Sequence, residues 1–205
     1  MSLGKIDKLN AGDLRAALGQ CTIGREIIVL EETTSTNDAI WQRATPVTPE
    51  GLVIFAERQT AGRGQRSNHW ESIPGKGLWF SILLQPKIEP ARSARLTAWA
   101  AQSVAETISD EFLLCPTVKP PNDIYLEKKK LAGVLVEMRA QKNAPHLAIA
   151  GIGINANHTP EDFSEGLRQR AISLAQALDR HVDRAEFAVA LLRKLDSTYH
   201  DLRGL

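Results

Sequence analysis

One short segment combines glycine and arginine in a way that suits the binding of an anion. Residues 59–66 read QTAGRGQR, so that Gly62 and Gly64 flank Arg63. Glycines let backbone N–H groups come close to an anion, and a guanidinium can donate two hydrogen bonds to a phosphate or a carboxylate. The chain has no GxxxxGK[ST] loop, and no helix start follows the segment as a dinucleotide fingerprint requires. The segment is therefore either an anion site or a mobile glycine-rich loop.

Two lysines lie on either side of a predicted hairpin. Lys119 precedes the sequence Pro-Pro-Asn122-Asp123, and Lys130 begins the sequence KLAG that ends at Gly133. A hairpin can bring both ammonium groups to one ligand. Asp123 beside such cations could hold Mg²⁺ between nucleotide phosphates. Asn122 and Asp123 suit an ordinary turn equally well, however, and Lys130 in the run KKKL suits a solvated face.

A third segment, GIGIN at 151–155, has glycines at alternate positions. Gly151 and Gly153 face the same side of a strand, because successive side chains point to opposite sides. Such a bare face lets a flat ligand or another stretch of backbone lie close to the strand. A bulge or a crowded sheet would need the same glycines, so both interpretations stay open.

The elements that must position these residues follow from the apolar patterns. Apolar runs between turn residues predict strands, and apolar positions at helical spacing predict helices, with Ser35 or Thr36 as the cap of the second helix. The predicted strands are 26–31, 51–57, 78–86, 117–119, 123–126, 130–138 and 147–154. The predicted helices are 11–19, 36–44, 93–110, 171–178 and 184–202. Strands occur in runs and do not alternate strictly with helices, which predicts an α+β fold, a mixed β-sheet with helices packed on one face.

The composition is that of an ordinary globular protein. The chain has 205 residues, 43% of them hydrophobic, and a formal net charge of +1. A chain of this length can bury a sizeable core, and its balanced charge disfavours a nucleic-acid partner. No apolar stretch is long enough to span a bilayer, and the N-terminus shows no signal-peptide pattern. Cys21 and Cys115 have neither CxxC spacing nor a nearby His pair, so we expect no zinc site, reduced thiols and a cytoplasmic location.

Taken together, these segments resemble the motifs of the biotin–protein ligases. The matching pieces, in chain order, are Ser35-Thr36-Asn37, QTAGRG at 59–64, Trp70, PND at 121–123 with Lys119 before it, KLAGVLVE at 130–137 and GIGIN at 151–155. The resemblance extends over nearly the whole chain. One motif could arise by chance, but the ordered combination is specific to this family.

The resemblance implies a fold related to class II aminoacyl-tRNA synthetases and lipoate ligases. It implies one catalytic domain over residues 1–205, without the N-terminal helix-turn-helix of ligase–repressors and without the small C-terminal β-barrel of many relatives. The implied reaction has two steps. Biotin and ATP form biotinyl-5′-AMP and pyrophosphate, and a lysine of a biotin carboxyl carrier domain then takes the biotinyl group and releases AMP. The resemblance leaves a homodimer open and implies no membrane or nucleic-acid partner.

The same resemblance assigns residues to four roles. Catalysis is assigned to Lys130, Arg63, Asp123 and Lys119. Biotin binding is assigned to Ser35, Thr36, Asn37, Gln59, Gly62, Arg63, Gly133 and Gly151. Nucleotide binding is assigned to Gln65, Arg66, Trp70, Asn122, Lys130 and Asn155. Asp123 is also assigned to Mg²⁺, the metal expected with ATP.

Two positions depart from the family pattern, and two rival functions stay open. Gln65 stands where many relatives have an arginine that helps to retain the adenylate, with Arg66 next to it, and Pro120 stands where a tryptophan is common. The rivals are a lipoate or octanoate ligase on the same fold and a non-catalytic module that senses biotin. The presence of Lys130 and Arg63 favours the ligase, because a sensor has no need of them.

Overall fold

Seven strands form one mixed sheet. The computed structural model describes residues 8–45, 47–142 and 146–203. In chain order the strands are β1 (Glu26–Thr33), β2 (Leu52–Gln59), β3 (Gly77–Leu84), β4 (Thr117–Lys119), β5 (Asp123–Leu126), β6 (Lys129–Arg139) and β7 (Leu147–Asn155). Their order across the sheet is β1-β2-β3-β7-β6-β5-β4. β1 and β2 are parallel and the other neighbouring pairs are antiparallel, so the predicted mixed sheet is confirmed.

The long helices cover one face of this sheet. The helices are α1 (Ala11–Leu18), α2 (Thr36–Trp41), α3 (Ala94–Phe112), α4 (Glu165–Arg168), α5 (Leu174–Leu178) and α6 (Arg184–Arg203). As predicted, α1, α3 and α6 pack on one face, over a core in which the rings of Phe55 and Phe80 stack at 4.9 Å. None of the helices in the described ranges is long and apolar enough to cross a bilayer.

The short helix α2 lies on the opposite face and leaves part of that face open. Its Ile40 is fully buried against a small apolar cluster that includes Ile54, Leu83 and Ile149. The amphipathic pattern of this segment therefore buries one side of α2 on β2, β3 and β7. The rest of this face, over β6 and β7, carries the glycines that the sequence analysis singled out.

The predicted helix 171–178 is wrong in its first half. In the structure α5 begins at Leu174, after Ser173, whose side chain accepts a hydrogen bond from the backbone of Gln176. The preceding residues pair with Lys130: the Lys130 N–H donates to Arg170 O at 2.7 Å, and the Ile172 N–H donates to Lys130 O at 3.0 Å. These bonds to the sheet keep the segment out of the helix, and apolar spacing could not reveal them. The first seven residues, where no signal-peptide pattern was found, lie outside the described residues.

A buried ion pair ties the helical face to the strand that leads into the glycine-rich loop. The Arg184 side chain, at the start of α6, is 0% exposed and donates to both oxygens of Glu57 on β2, at 2.8 and 3.2 Å. Arg184 also donates to Gly77 O at 3.0 Å, and Glu57 accepts the backbone N–H of Leu9 at 3.1 Å. A charge removed from water in this way is tolerated only while its partner is present.

We therefore expect Arg184→Met to destabilise the fold by about 3–5 kcal/mol, because it leaves the buried Glu57 carboxylate uncompensated. The measurement is urea unfolding at neutral pH. Arg58→Met is the matched control: its ion pair with Glu32 is about half exposed, so its loss should cost about 1 kcal/mol or less. Equal losses in the two variants would contradict this account of Arg184.

Candidate functional site

The site lies where β6 and β7 present bare backbone to the open face of the sheet. Gly133 on β6 is directly opposite Gly153 on β7, and Gly151 is opposite Ser81 on β3. Because residues two apart on a strand point to the same side, the three glycines form one strip free of side chains. We call this set, Gly133, Gly151 and Gly153, the glycine strip.

Two side chains of the protein lie directly on the glycine strip. A Cβ at position 133 would come within 3.0 Å of the Trp70 ring, and a Cβ at position 153 would come within 2.7 Å of it. A Cβ at position 151 would overlap Asn37 Oδ1. The sequence predicted that a flat ligand or another backbone could approach here. In the structure, the indole of Trp70 takes that place.

The first cavity is bounded by α2, the glycine-rich loop and the glycine strip. It has about 40 Å³ of free space. It is lined by Ser35, Thr36, Asn37, Gln59, Arg63, Gly64, Trp70, Asn122, Lys130, Gly133, Val134, Leu135, Gly151, Ile152 and Gly153. Seven of the eight residues predicted to bind biotin are in this set, and Gly62 is not. Gly62 instead allows close packing of Trp70, because a Cβ there would be 2.6 Å from Trp70 O.

The N-terminus of α2 supplies buried polar groups to this cavity. The backbone N–H of Thr36 donates to Gln59 Oε1 at 2.8 Å, and the Thr36 hydroxyl lies 3.2 Å from the same oxygen. Ser81 Oγ lies 2.7 Å from Thr36 Oγ1 and 2.6 Å from Asn37 Oδ1. Ser35 stands at the N-cap position but its side chain makes no capping hydrogen bond. These contacts fix the side chains of Thr36, Asn37 and Gln59 before any ligand binds.

The Glu137 carboxylate accepts three hydrogen bonds, two from α2 and one from the glycine-rich loop. It accepts from Asn37 Nδ2 at 3.1 Å, from Trp41 Nε1 at 2.9 Å and from the Arg63 guanidinium at 3.2 Å. α2, the glycine-rich loop and β6 are thereby joined at one point. Ser81 and Glu137 were not assigned a role from the sequence. The signals were available: Ser81 is the polar residue in the apolar run LWFSILL, and Glu137 ends the run KLAGVLVE.

Arg63 is held by two carboxylates. Its guanidinium donates two hydrogen bonds to Asp38, at 2.6 and 2.8 Å, besides the one to Glu137. The hydrogen bond from Arg63 holds the pKa of the Asp38 carboxyl below its usual value. The two acidic partners raise the pKa of Arg63 further above its already high value. Arg63 is therefore a fixed cation whose charge is already balanced, and a phosphate would have to compete with Asp38 and Glu137 for it.

Lys130 lies at the junction of three cavities. Its ammonium is 2.7 Å from Asp123 Oδ1 and 5.3 Å from the centre of the Trp70 ring. Lys130 and Trp70 line the first cavity and also two neighbouring ones. Lys119 lies farther out, with its ammonium over the Tyr125 ring at 5.4 Å. Of the two predicted lysines, Lys130 is therefore the one at which the cavities meet.

The second cavity, of about 370 Å³, lies on the other side of Trp70. Its lining residues include Trp70, Lys130 and Asn155, three of the residues predicted to bind nucleotide. The lining also contains His158 and Phe163, which were not predicted and whose rings stack at 5.0 Å. Burial lowers the pKa of His158 to about 4, so this wall is uncharged at neutral pH.

The third cavity brings together the remaining predicted residues. It is lined by Gly64, Gln65, Arg66, Asn68, His69, Trp70, Lys119, Pro120, Pro121, Asn122, Asp123 and Lys130.

The side-chain amides of Asn122 and Asn155 donate hydrogen bonds to the protein backbone. Asn122 Nδ2 donates to Val134 O at 3.0 Å, and Asn155 Nδ2 donates to Ile172 O at 3.1 Å. These two side chains thus hold the hairpin of β5 and β6 and the segment before α5.

Comparison with known proteins relates this arrangement to one family. A model of the biotin/lipoate A/B protein ligase family matches residues 29–155. The bifunctional ligase/repressor BirA of Bacillus subtilis is 36% identical over 197 residues, which are 96% of this chain and 61% of that protein. The biotin–[acetyl-CoA-carboxylase] ligase of Mycobacterium tuberculosis is 29% identical over 178 residues, 84% of this chain and 64% of that protein. The chain thus spans about three fifths of the length of these curated relatives.

Solved structures agree with this relationship. The biotin protein ligase from Aquifex aeolicus in complex with biotin and ATP superposes with a TM-score of 0.73 at 30% identity, over 87% of this chain and 72% of that chain. A point mutant of the same enzyme in complex with biotin superposes with a TM-score of 0.74 over the same shares. The α+β fold predicted from the sequence is the fold of these structures.

We expect Gly133→Val to displace the Trp70 indole and the Lys130 side chain, because the added carbons would occupy their places on the glycine strip. Isothermal titration calorimetry with biotin should show affinity weakened by roughly tenfold or more. Gly12→Val in α1 is the matched control, since its Cβ would meet only the flexible side chain of Asn10. Unchanged biotin affinity in Gly133→Val would exclude the glycine strip from the binding site.

Proposed function

The chain belongs to the biotin/lipoate A/B protein ligase family, and on this premise we propose that it is an ATP-dependent biotin–protein ligase. It activates biotin as biotinyl-5′-AMP and transfers the biotinyl group to a lysine of a biotin carboxyl carrier domain. The observation that carries the proposal is the position of Lys130, where a cavity with polar groups for a small bicyclic acid meets a larger cavity of nucleotide size. The carboxylate of biotin in the first cavity and the α-phosphate of ATP in the second would meet at the Lys130 ammonium.

The first cavity suits biotin by its distribution of polar and bare surface. The buried polar groups of Thr36 and Asn37 and the half-buried amide of Gln59 stand at one end, where the ureido ring would bind. The glycine strip offers a flat seat to the ring system once Trp70 moves aside. Lys130 at the other end would attract the carboxylate of the ligand. A few fixed polar groups in a mostly apolar pocket are the usual basis of small-molecule recognition.

In the first step a biotin carboxylate oxygen attacks the α-phosphorus of ATP. A bond forms between that oxygen and the phosphorus, and the bond from the phosphorus to pyrophosphate breaks. The phosphoryl group gains negative charge in this transition state, and a fixed cation next to it lowers the barrier. Lys130 supplies this charge, and its contact with Asp123 at 2.7 Å holds the ammonium in place. Lys119 and Arg66, which border the third cavity, add positive charge for the phosphates farther out.

In the second step the amine of the acceptor lysine attacks the carbonyl carbon of biotinyl-5′-AMP. The amide bond forms, and the bond from the acyl carbon to the AMP oxygen breaks. The amine must lose a proton, and the Asp123 carboxylate is the proposed acceptor, because it lines the second cavity and contacts Lys130, where the first and second cavities meet. No covalent bond to the protein forms, so Cys21 and Cys115 take no part.

Arg63, Asn122 and Asn155 act mainly by positioning other groups. Arg63 orients α2 and the glycine-rich loop through Asp38 and Glu137. Asn122 and Asn155 hold backbone that carries Lys130 and Asp123. Gln65 borders the third cavity, where a neutral amide can offer hydrogen bonds but no charge to the nucleotide phosphates.

Mg²⁺ enters with the ATP phosphates in this proposal and not in a cage of protein ligands. The described part of the chain has no group of three or more His, Cys, Asp or Glu side chains placed to hold a metal ion. Mg²⁺ commonly binds through one or two carboxylates together with substrate phosphates. Asp123 fits as a single ligand of this kind, although Lys130 already contacts its Oδ1. The metal would supply further neutralisation of phosphate charge.

The polar end of the first cavity argues against the two rival functions. A fatty acyl chain, such as octanoate, would offer no hydrogen bond to the Thr36 hydroxyl oxygen or to the Gln59 NH₂ group, whose contact with Ser72 is long at 3.4 Å, and an unmatched polar group in a closed site is costly. A sensor of biotin would have no use for a lysine at the junction of the cavities. We also propose that residues 1–205 contain a single catalytic domain, with a cytoplasmic location that the free thiols Cys21 and Cys115 support.

Lys130→Ala should reduce biotin-dependent exchange of pyrophosphate into ATP by about 100-fold, because it removes the cation at the reacting phosphate. Biotin affinity, measured by calorimetry, should change far less, since the ureido end of the site is intact. Lys128→Ala is the matched control, because Lys128 is an exposed lysine two residues away and should exchange at the wild-type rate. Wild-type exchange in Lys130→Ala would remove Lys130 from the mechanism.

A further inference from the structure

A chain of hydrogen bonds connects the half-buried Glu137 to the polar end of the first cavity. It runs from Glu137 to Asn37, from Asn37 to Ser81 and from Ser81 to Thr36, with successive separations of 3.1, 2.6 and 2.7 Å. Thr36 and Asn37 line the cavity, whereas Ser81 and Glu137 lie behind them. Ser81 is 0% exposed, so its hydroxyl has no water with which to exchange partners.

The direction of each hydrogen bond in this chain follows from the carboxylate at its end. An ionised carboxylate can only accept, so the NH₂ group of Asn37 must face Glu137 and the amide oxygen must face Ser81. Ser81 has a single proton, and it must go to Asn37 Oδ1. If that proton pointed to Thr36 instead, two acceptor oxygens would lie 2.6 Å apart in a buried site with no proton between them.

The Thr36 hydroxyl also has only one possible direction in which to donate its proton. Because Ser81 gives its own proton to Asn37, the contact of 2.7 Å between Ser81 and Thr36 requires Thr36 as the donor. Gln59 Oε1 lies farther from the Thr36 hydroxyl, at 3.2 Å, and already accepts the Thr36 backbone N–H at 2.8 Å. The Thr36 proton therefore points away from the cavity, and its lone pairs are left to accept a hydrogen bond from a ligand.

Gln59 presents a hydrogen-bond donor to the cavity, whereas Thr36 presents an acceptor. Its oxygen is held by Thr36, so its NH₂ group is the end left for other partners, and its contact with Ser72 Oγ is long at 3.4 Å. The cavity thus offers an acceptor at Thr36 beside a donor at Gln59. A urea ring, with N–H next to C=O, has the complementary pattern.

We infer that Ser81 is a positioning residue that determines specificity: it takes the hydroxyl proton of Thr36 and so makes Thr36 an acceptor for a ureido N–H. The inference rests on the proposed function, since biotin is the ligand with this ring. Because its carboxylate can only accept, Glu137 fixes which group donates in each hydrogen bond of the chain. Without Ser81, the Thr36 hydroxyl is free to turn and to donate, and the site loses its preference for N–H over an acceptor atom.

The test compares biotin with cyclic carbamate analogues in which one ureido N–H is replaced by a ring oxygen. The replacement keeps the shape of the ring and turns a donor into an acceptor, and each of the two nitrogens is replaced in turn. For wild-type protein we expect one of the two analogues to bind about 100-fold more weakly than biotin, because two acceptors then face each other. Calorimetry measures both affinities, and the quantity compared between variants is the ratio of the affinity for biotin to the affinity for that analogue.

Ser81→Ala should lower that ratio by about tenfold or more, because biotin loses its partner while the analogue gains a donor. A purely structural role of Ser81 would weaken both ligands in parallel and leave the ratio unchanged, which would overturn the inference. Ser103→Ala is the matched control, a buried serine on α3, and should keep the wild-type ratio. If Ser81→Ala does not fold, Ser81→Cys is the second variant: its thiol forms only weak hydrogen bonds, so it should lower the ratio in the same direction.

The measured affinities distinguish failure of the proposed function from failure of the inference about Ser81. Wild-type protein that binds no biotin would overturn the proposed function, and this inference with it. Wild-type protein that binds biotin, combined with an unchanged ratio in Ser81→Ala or in Ser81→Cys, would overturn this inference alone.

Discussion

The site depends on one steric constraint, the close approach of side chains to the bare backbone of two neighbouring strands. Trp70 lies on Gly133 and Gly153, and Asn37 lies on Gly151, at separations that leave no room for a Cβ. The strip brings α2 close to β7, it lets the glycine-rich loop fold back over the sheet, and it places Trp70 between two cavities that share Lys130.

Ion pairs and burial determine how charge is distributed over the site. Arg63 is paired with Asp38 and Glu137, and its guanidinium stabilises the walls of the first cavity. Lys130, paired with Asp123, is the cation that borders all three cavities. The wall formed by His158 and Phe163 carries no charge at neutral pH, because burial lowers the pKa of His158 to about 4. A neutral stacking surface next to a fixed cation suits a nucleotide, whose base is flat and whose phosphates are anionic.

The sequence predicted the elements better than the contacts between them. Alternating and continuous apolar runs place β2, β3, β6 and β7 correctly, because burial of one or both sheet faces imposes those patterns. The glycines of the strip were also visible, but what covers them was not, since the position of Trp70 depends on the path of a loop without periodicity. The pair of Glu57 and Arg184 joins residues 127 positions apart, and no local pattern could reveal it. Asn122 donates to Val134 O at 3.0 Å across the hairpin, a contact that its turn sequence did not indicate, and its role in nucleotide binding stays a prediction.

The central claim is tested most directly by transfer to a carrier domain. The purified protein would be incubated with ATP, Mg²⁺, a biotin carboxyl carrier domain and, in parallel reactions, biotin, lipoate or octanoate, and the carrier would be analysed by mass spectrometry. The account predicts one biotinyl group on one carrier lysine in the biotin reaction, and an unmodified carrier with the other two acids. Transfer of lipoate or octanoate in place of biotin, or no transfer together with no biotin-dependent pyrophosphate exchange, would contradict it.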